Sequence, residues 1–462
     1  MRRKKKLKFL SSDKSLIMQN KIYKVVLLLL CGVLSVGAQS PTEGSWTLEQ
    51  CIEHALTHNL SLKRQALQAN QQELQLRQAK LDRLPNLNAN SSFRTSSGSV
   101  RIESTFELVD MTTRDANLGL SSSTALFEGF TRRNAVHKAR TDFEAAKLDV
   151  EKAGNDLALG ITAMYMQILF DREMLETARA QEETVRLQVE QSEKLVAAGR
   201  LPEGSLLEMQ ALAARESSSV IQLENRLLLS LLDLAQALDL EDVGAFDVVY
   251  PEVEELSSEG LQDASSIYAL AVGSLPRIAA SELRLESSQK QVDIAKGYLW
   301  PRLSFNTGWS TYVTRFKGQQ NFDFGQSFSD NASQYWGLSL NIPIFNALSA
   351  RNNIKNARLG VLNAQYSLEQ EQQLLRKDIQ QGLADAQAAY RQFLAGEAAV
   401  NAYREAFRYT EKRYEVGMVN VVDYQVSKTE LLNAESDYLQ AKYTFLLRSK
   451  ILDFYQGRPL VL

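Results

Sequence analysis

The feature that most constrains this chain is a seven-residue apolar repeat carried through long runs that contain no proline. Ile379, Ala386, Phe393, Val400, Phe407 and Tyr414 recur every seven residues, and Tyr424, Leu431, Tyr438, Phe445 and Leu452 resume the habit. A sustained period of this kind makes helices supercoil around one another instead of enclosing a compact core. Residues 131–198 and 349–416 lack proline altogether, and at 1.5 Å per residue each run reaches about 100 Å as a helix. The whole chain holds 8 prolines in 462 residues, against roughly 5% in ordinary proteins. Gly199 and Gly417 stand just past the two runs, where a left-handed C-terminal cap favours glycine. Each long helix is therefore expected to turn there and run back as an antiparallel hairpin, over 131–240 and 349–456.

The pattern is written twice. Residues 75–85 match 291–301 at an offset of 216, and from Leu126-Phe127 against Ile344-Phe345 onward the offset is 218. The first-copy equivalents of the heptad positions are Ile161, Ile168, Leu175, Glu182, Val189 and Val196, one of them polar. The expected organisation is two repeats, 39–240 and 263–457. An acidic linker or equatorial element containing Pro251 joins them at 241–262, and a tail follows at 458–462.

Between the shorter and the longer helix of each unit the period drops to two. Leu303, Phe305, Thr307, Trp309, Thr311 and Val313 alternate with small or polar residues, as do Trp336, Leu338, Leu340 and Ile342. The first copy repeats this more weakly at Leu87, Ala89, Ser91 and Phe93, then Leu118, Leu120, Ser122, Thr124 and Leu126. Four strands are expected, at about 85–98, 114–127, 301–313 and 334–345, with polar loops over 95–113 and 314–333. Their length and alternation are those of transmembrane β-strands.

The N-terminus supplies an export signal. Residues 1–38 carry nine Lys/Arg and one acid, and residues 25–36 form an apolar run ending in Val36-Gly37-Ala38. That is a charged region, a short hydrophobic region and a small-x-small cleavage site. The segment before Met18 reads as an upstream extension. Leu30 before Cys31 argues against lipidation. The remaining residues hold 43 Lys/Arg and 54 Asp/Glu, so a nucleic-acid surface is not expected. Cys51 is then the only thiol after cleavage, and no disulfide can form within the chain.

A sheet in lipid tolerates no open edge, and the smallest membrane barrels have about eight strands. One chain offers four. An eight-stranded barrel is filled by its own side chains, and the small inward residues here suit a watery lumen. A homotrimer with a 12-stranded β-barrel above a long α-helical barrel is the expected assembly.

At this point the chain resembles the TolC-type outer-membrane efflux proteins of Gram-negative bacteria. The likeness rests on the doubled architecture, the strand end at 340–345, the Tyr414-Glu-Val-Gly417 turn followed by Asp423-Tyr424, and the helix lead-in Thr47 to Ala55. It implies an outer-membrane location with a long periplasmic extension. It also implies a passive exit duct that docks on a periplasmic adaptor (membrane fusion protein) and an inner-membrane pump of RND, ABC or MFS type.

The resemblance makes Gly199, Leu201, Pro202, Gly204, Ser205, Gly417, Val419 and Asp423 the adaptor-docking tips. Asp423 is also the candidate for a carboxylate ring at the periplasmic aperture, where three copies would attract cations. Val426 stands where a second acid would complete that ring, and the sister of Asp423 is Ser205. An exposed acid in the first turn of a helix is the plainer reading of the same residue. Phe93, Trp309, Tyr312, Tyr335 and Trp336 are candidates for an aromatic girdle at the membrane interfaces.

No cofactor is expected and no catalytic site. Cys51, His54 and His58 share one helix face, but their sister residues are Ile267, Leu270 and Ser274, so a packed face is expected in place of a metal site. The alternative function is a structural periplasmic coiled coil. It would leave the apolar strand face without a cover, and a diffusion porin has no need of the long helices.

Overall fold

The computed structural model describes residues 45–101, 106, 108–240, 246–251, 256–257, 262–317 and 321–462. The expected signal region 1–38 and much of the expected join at 241–262 lie outside the described residues.

The first unit opens with α1 (Leu48–His58), started by a capping box. The Gln50 N–H donates to the Thr47 hydroxyl, and the Gln50 side chain accepts from the Thr47 N–H. Asn59 ends α1 and caps α2 (Leu60–Leu81), its side-chain oxygen accepting from Ser61 and Leu62. Strands β1 (Asn88–Arg101) and β2 (Leu108–Glu128) follow, then the long helix α3 (Thr131–Ala197) and its return α4 (Glu203–Ala237). The second unit repeats the order with α5 (Ala264–Ser274), α6 (Pro276–Gly297) and β3 (Arg302–Phe316). A short helix α7 (Phe324–Asp330) then precedes β4 (Ser333–Asn341), α8 (Ser349–Glu415) and α9 (Val421–Tyr455). Both long helices have 67 residues and both return helices 35.

The strand ends differ from expectation in three places. β1 and β2 continue deep into 95–113, because Ser and Thr there pair across the ladder. The Ser97 and Thr112 hydroxyls lie 3.0 Å apart, and Ser99 donates to Asp110 at 2.5 Å. Within 314–333 the chain forms α7, capped by Asp323, whose carboxylate accepts from the Gln326 N–H. β4 stops at Asn341, and Pro343 beyond it has no N–H to give a ladder.

The four strands form one antiparallel sheet in the order β1-β2-β3-β4, with β1 and β4 as its edges. The sheet as it stands in one chain is open. The helices adjoining the sheet pack in the matching order: α2 on α3, α3 on α6, α6 on α8. Each strand thus continues into a helix of the same rank.

Most of the heptad positions became core, while Phe393, Tyr414 and Tyr438, and in the first copy Glu182, Val189 and Val196, stay half-buried. Ile161, Ile168, Leu175, Ile379, Ala386, Val400, Phe407, Tyr424, Leu431, Phe445 and Leu452 are all buried. At the waist of the helices Leu48, Cys51 and Ala55 of α1 pack against Ile161, Tyr165, Ile168 and Leu169 of α3. The Tyr165 hydroxyl donates to the Val249 carbonyl at 2.6 Å, and Glu173 accepts from Lys442 and from the Tyr443 hydroxyl of α9.

Candidate functional site

The sheet register sorts the strand residues onto two faces. Directly opposed residues of an antiparallel pair point to the same side. Ala89, Leu120 and Trp309 are in line, as are Phe93, Ala116 and Val313, and Leu303 and Phe305 oppose Leu340 and Leu338. One face is therefore apolar along all four strands. The other carries Asn90, Gly119 and Ser310 in line, then Ser123, Asn306 and Gly337. On this polar face the Ser123 hydroxyl donates to Asn306 and the Thr314 hydroxyl to Asp115, each at 2.8 Å.

The five aromatic candidates divide between these faces. Phe93, Trp309 and Trp336 belong to the apolar face, Phe93 and Trp336 exposed and Trp309 packed on Phe328 of α7 at 5.9 Å. Tyr312 opposes Asn117, and Tyr335 opposes Gly308; both sit on the polar face. The five girdle candidates thus divide three to two, with Phe93, Trp309 and Trp336 on the apolar face and Tyr312 and Tyr335 on the polar one. Tyr335 lies across Gly308, where a Cβ would come within 2.7 Å of the ring.

A second aromatic group sits where strands meet helices. Phe127 packs edge-on to Phe130 at 5.5 Å and to Trp300 at 6.4 Å. The chain squeezes past itself there: a Cβ on Gly129 (φ +61) would come within 2.4 Å of the Gly297 carbonyl oxygen. Sequence alone gives Phe127 as a repeat anchor at a strand end, and its packing on Phe130 and Trp300 joins elements that no local period relates.

The helices beside the two sheet edges each leave apolar residues bare. On α2, Leu60, Leu67, Leu74 and Leu81 form a heptad seam that is 46–65% exposed. On α8, Leu359, Leu362 and Tyr366 are 45–63% exposed. The α2 seam is legible in the sequence as a period of seven.

At the far ends of the hairpins the two tips share one backbone. Gly199 (φ +69) donates to Val196 and Arg200 to Leu195, both at 2.9 Å; Gly417 (φ +75) donates to Tyr414 at 2.9 Å and Met418 to Arg413 at 2.8 Å. This paired closure satisfies carbonyls that the helix leaves open. Pro202 precedes α4 without a side-chain cap, while Asn420 caps α9 by accepting from the Asp423 N–H at 2.8 Å. Asp423 is exposed in the first turn of α9, as is Val422, and Val426 is exposed in the next turn. Leu201, Ser205 and Val419 are half-buried; Pro202 and Gly204 are exposed.

Just above the tips the hairpins are tied together. The Tyr424 ring meets Phe407 and Tyr414 in tilted contacts, each at 5.2 Å, over Val185, Met209 and Leu212. Lys428 of α9, 2% exposed, meets Glu216 of α4 at 3.0 Å. Burial pulls the Lys428 ammonium below its usual range, and the Glu216 carboxylate works against that pull. Burial pushes the Tyr424 hydroxyl up. Sequence reading missed the Lys428–Glu216 pair, because its two members lie on different hairpins.

The Cys51 set separates. Cys51 is fully buried, and burial pushes its thiol up to about 12. Its sister Ile267 is equally buried, but Leu270, the sister of His54, is 54% exposed. The shared face is thus packed at one position and open at the next. The His54 and His58 rings stack at 4.1 Å. Among the described residues no group of three or more His, Cys, Asp or Glu side chains could hold a metal ion.

A sheet with one apolar face, two of its strands running on into helices of 67 residues and the other two led in by helices of 22, is an architecture shared with membrane channels. The family described as outer membrane efflux protein matches residues 51–239 and 267–458. The chain belongs to that family, which is made up of channel proteins and not of enzymes. Protein CyaE of Bordetella pertussis is 25% identical over 330 residues, 70% of this chain and 65% of its own length. Cation efflux system protein CusC of Escherichia coli O6:H1 is 23% identical over 408 residues, 86% of this chain and 81% of its own. The crystal structure of the outer membrane protein VceC from Vibrio cholerae superposes with a TM-score of 0.73 at 21% identity, covering 89% of this chain and 96% of that one. The matched segments of this chain thus span about two thirds of CyaE.

Proposed function

We propose that this chain is one third of a passive exit duct in the outer membrane of a Gram-negative bacterium. It would receive substrates from a periplasmic adaptor and an inner-membrane pump and release them outside. Family membership supports the location and the export role. The observation that carries the assembly is the pair of unlike, incomplete edges: β1 with the α2 leucine seam on one side, β4 with the bare face of α8 on the other. Unlike edges that complement each other join head to tail, and such joints close into a ring when the rotation allows. Three copies give twelve strands, wide enough for a lumen lined by the Asn, Ser and Gly face. The apolar face then meets lipid, and the tips point away from the membrane toward the adaptor. A ring of Asp423 carboxylates is the proposed aperture, and energy comes from the pump alone.

Disulfide trapping tests the joint. Leu67 and Leu362 each lie about 20 Å along their helices from the strands, so cysteines placed at both should meet across neighbouring copies. Cys51 is buried and will not interfere. The double variant should oxidise to a ring of three covalently linked chains. Products that stop at two chains, or none, would remove the trimer.

A further inference from the structure

The outer end of the apolar face carries charge that the sheet does not neutralise. Arg114 of β2 and Arg315 of β3 are directly opposed, and both are exposed. Like charges opposed across a ladder repel. Neither arginine makes an ion pair among the described residues. The nearby carboxylates are engaged elsewhere: Asp115 accepts from Thr314, Asp110 from Ser99, and Asp323 caps α7. The register places Arg114 and Arg315 on the same side as Val313 and Trp309.

An aromatic ring holds Arg315 in place. The Arg315 guanidinium lies over the Phe322 ring at 5.4 Å from its centre. Phe322 leads into α7, where Phe324 stacks on Phe328 at 6.0 Å and Phe328 meets Trp309. The Thr311 hydroxyl donates to the Phe328 carbonyl at 2.6 Å, which pins α7 to the apolar face. Cations above a band of aromatic rings are what the boundary between acyl chains and headgroups selects. The height agrees. Leu303 to Arg315 covers about 40 Å of strand, and at a tilt of about 40° that is roughly 30 Å along the membrane normal. An apolar band about 25 Å tall ends just below the arginines.

We propose that Arg114 and Arg315 form a binding site for the phosphate group of an outer-leaflet lipid. Two guanidinium forks can clasp one phosphate from both sides, each with paired N–H donors. The anion cancels the repulsion between the strands, and the Phe322 and Phe324 rings lie where the acyl chains of the same molecule begin. The site rests on the reading that the apolar face meets lipid.

The test uses the full chain purified in a zwitterionic detergent, with binding followed by the shift in thermal unfolding. The probes are diphosphoryl lipid A, the same lipid with its phosphates removed, and inorganic phosphate. The wild type should be stabilised by the phosphorylated lipid only. Arg114→Gln and Arg315→Gln should each weaken lipid binding about tenfold, the double variant more, while Arg315→Lys should restore only part. Equal binding by the double variant, or by the dephosphorylated lipid, overturns the site. Equal stabilisation by inorganic phosphate overturns the assignment to a lipid. Extraction separates this from the parent reading. If a salt wash releases the chain from outer membranes, the apolar face does not meet lipid at all. If detergent is required and the arginine variants still bind normally, only the arginine site falls.

Discussion

The two hairpins have the same skeleton and different flesh. Their long helices are equal in length, their return helices are equal, and both tips close with the same pair of hydrogen bonds around a glycine. Yet along the seam Phe393, Phe407, Tyr414, Tyr424, Tyr438 and Phe445 of the second copy stand where the first has Leu175, Val189, Val196, Leu206, Val220 and Leu227. The rings touch in pairs: Phe393 with Tyr438, Tyr390 with Phe445, Tyr424 with both Phe407 and Tyr414, all at 5.1–5.2 Å. Duplication preserved what sets helix length and turn geometry, which are backbone requirements. The side chains between the helices were free to change, because a coiled seam accepts any apolar set that fills its volume.

The comparison can be broken most sharply at the tips. Each tip glycine has open space where a Cβ would go. Alanine at Gly199 or Gly417 should therefore cost only the left-handed backbone penalty, about 1 kcal/mol at either site. Tryptophan at Gly417 should abolish export while trimer and membrane insertion persist. Export assayed beside membrane fractionation measures both, and unimpaired export would remove docking from that tip.

Next comes the seam. Tyr424→Ala should cost about 3–5 kcal/mol, since the ring is wholly buried. Leu206→Ala at the sister position is half-exposed and should cost about 1–2 kcal/mol. Denaturant unfolding followed by circular dichroism ranks the two, and equal losses would mean that the aromatic seam adds no stability.

Asp423 and Ser205 form a third contrast. Asp423→Lys should reverse or greatly weaken cation preference in planar-bilayer recordings, and Ser205→Lys should change it less. Folding should hardly respond, because a first-turn acid contributes about 0.3–1 kcal/mol. Unchanged selectivity would make Asp423 a solvated helix start.

The smallest effect is at Cys51 against Ile267. A thiol pushed by burial up to about 12 in the folded chain holds its proton where the unfolded chain has lost it. Folding then loses stability as pH rises from about 9 toward 12. Cys51→Val should flatten that decline, and melting curves across this range would show it. At neutral pH a maleimide should label Cys51 only after unfolding.

Much of this was readable in advance. The long helices, their turning points and the four strands follow from period, proline and glycine, which act on the chain locally. The two faces of the sheet were also implied by alternation. Alternation within a strand already sets Tyr312 and Tyr335 opposite Trp309 and Trp336; what it could not give was which residues stand beside them on the neighbouring strands, since that depends on register, and register is set between strands. The Lys428–Glu216 pair, the α7 cover on Thr311 and the Arg114–Arg315 opposition were hidden for the same reason. Each joins residues far apart in sequence, through packing that no local period encodes.

The equal 67-residue helices also limit how this protein can change length. A single inserted residue in α3 would rotate everything beyond it by about 100° and carry the buried seam to the surface. An insertion of seven keeps the seam in phase, but only if α4 gains seven as well, or the tip would no longer close. The second hairpin must follow, because the packing of Phe407, Tyr414 and Tyr424 on Met209 and Leu212 holds the two at one level. Natural variation in reach should therefore come in whole heptads, entered four times over, at matching depths in α3, α4, α8 and α9. The hairpins behave as a graduated rod whose smallest division is two helical turns, about 10 Å.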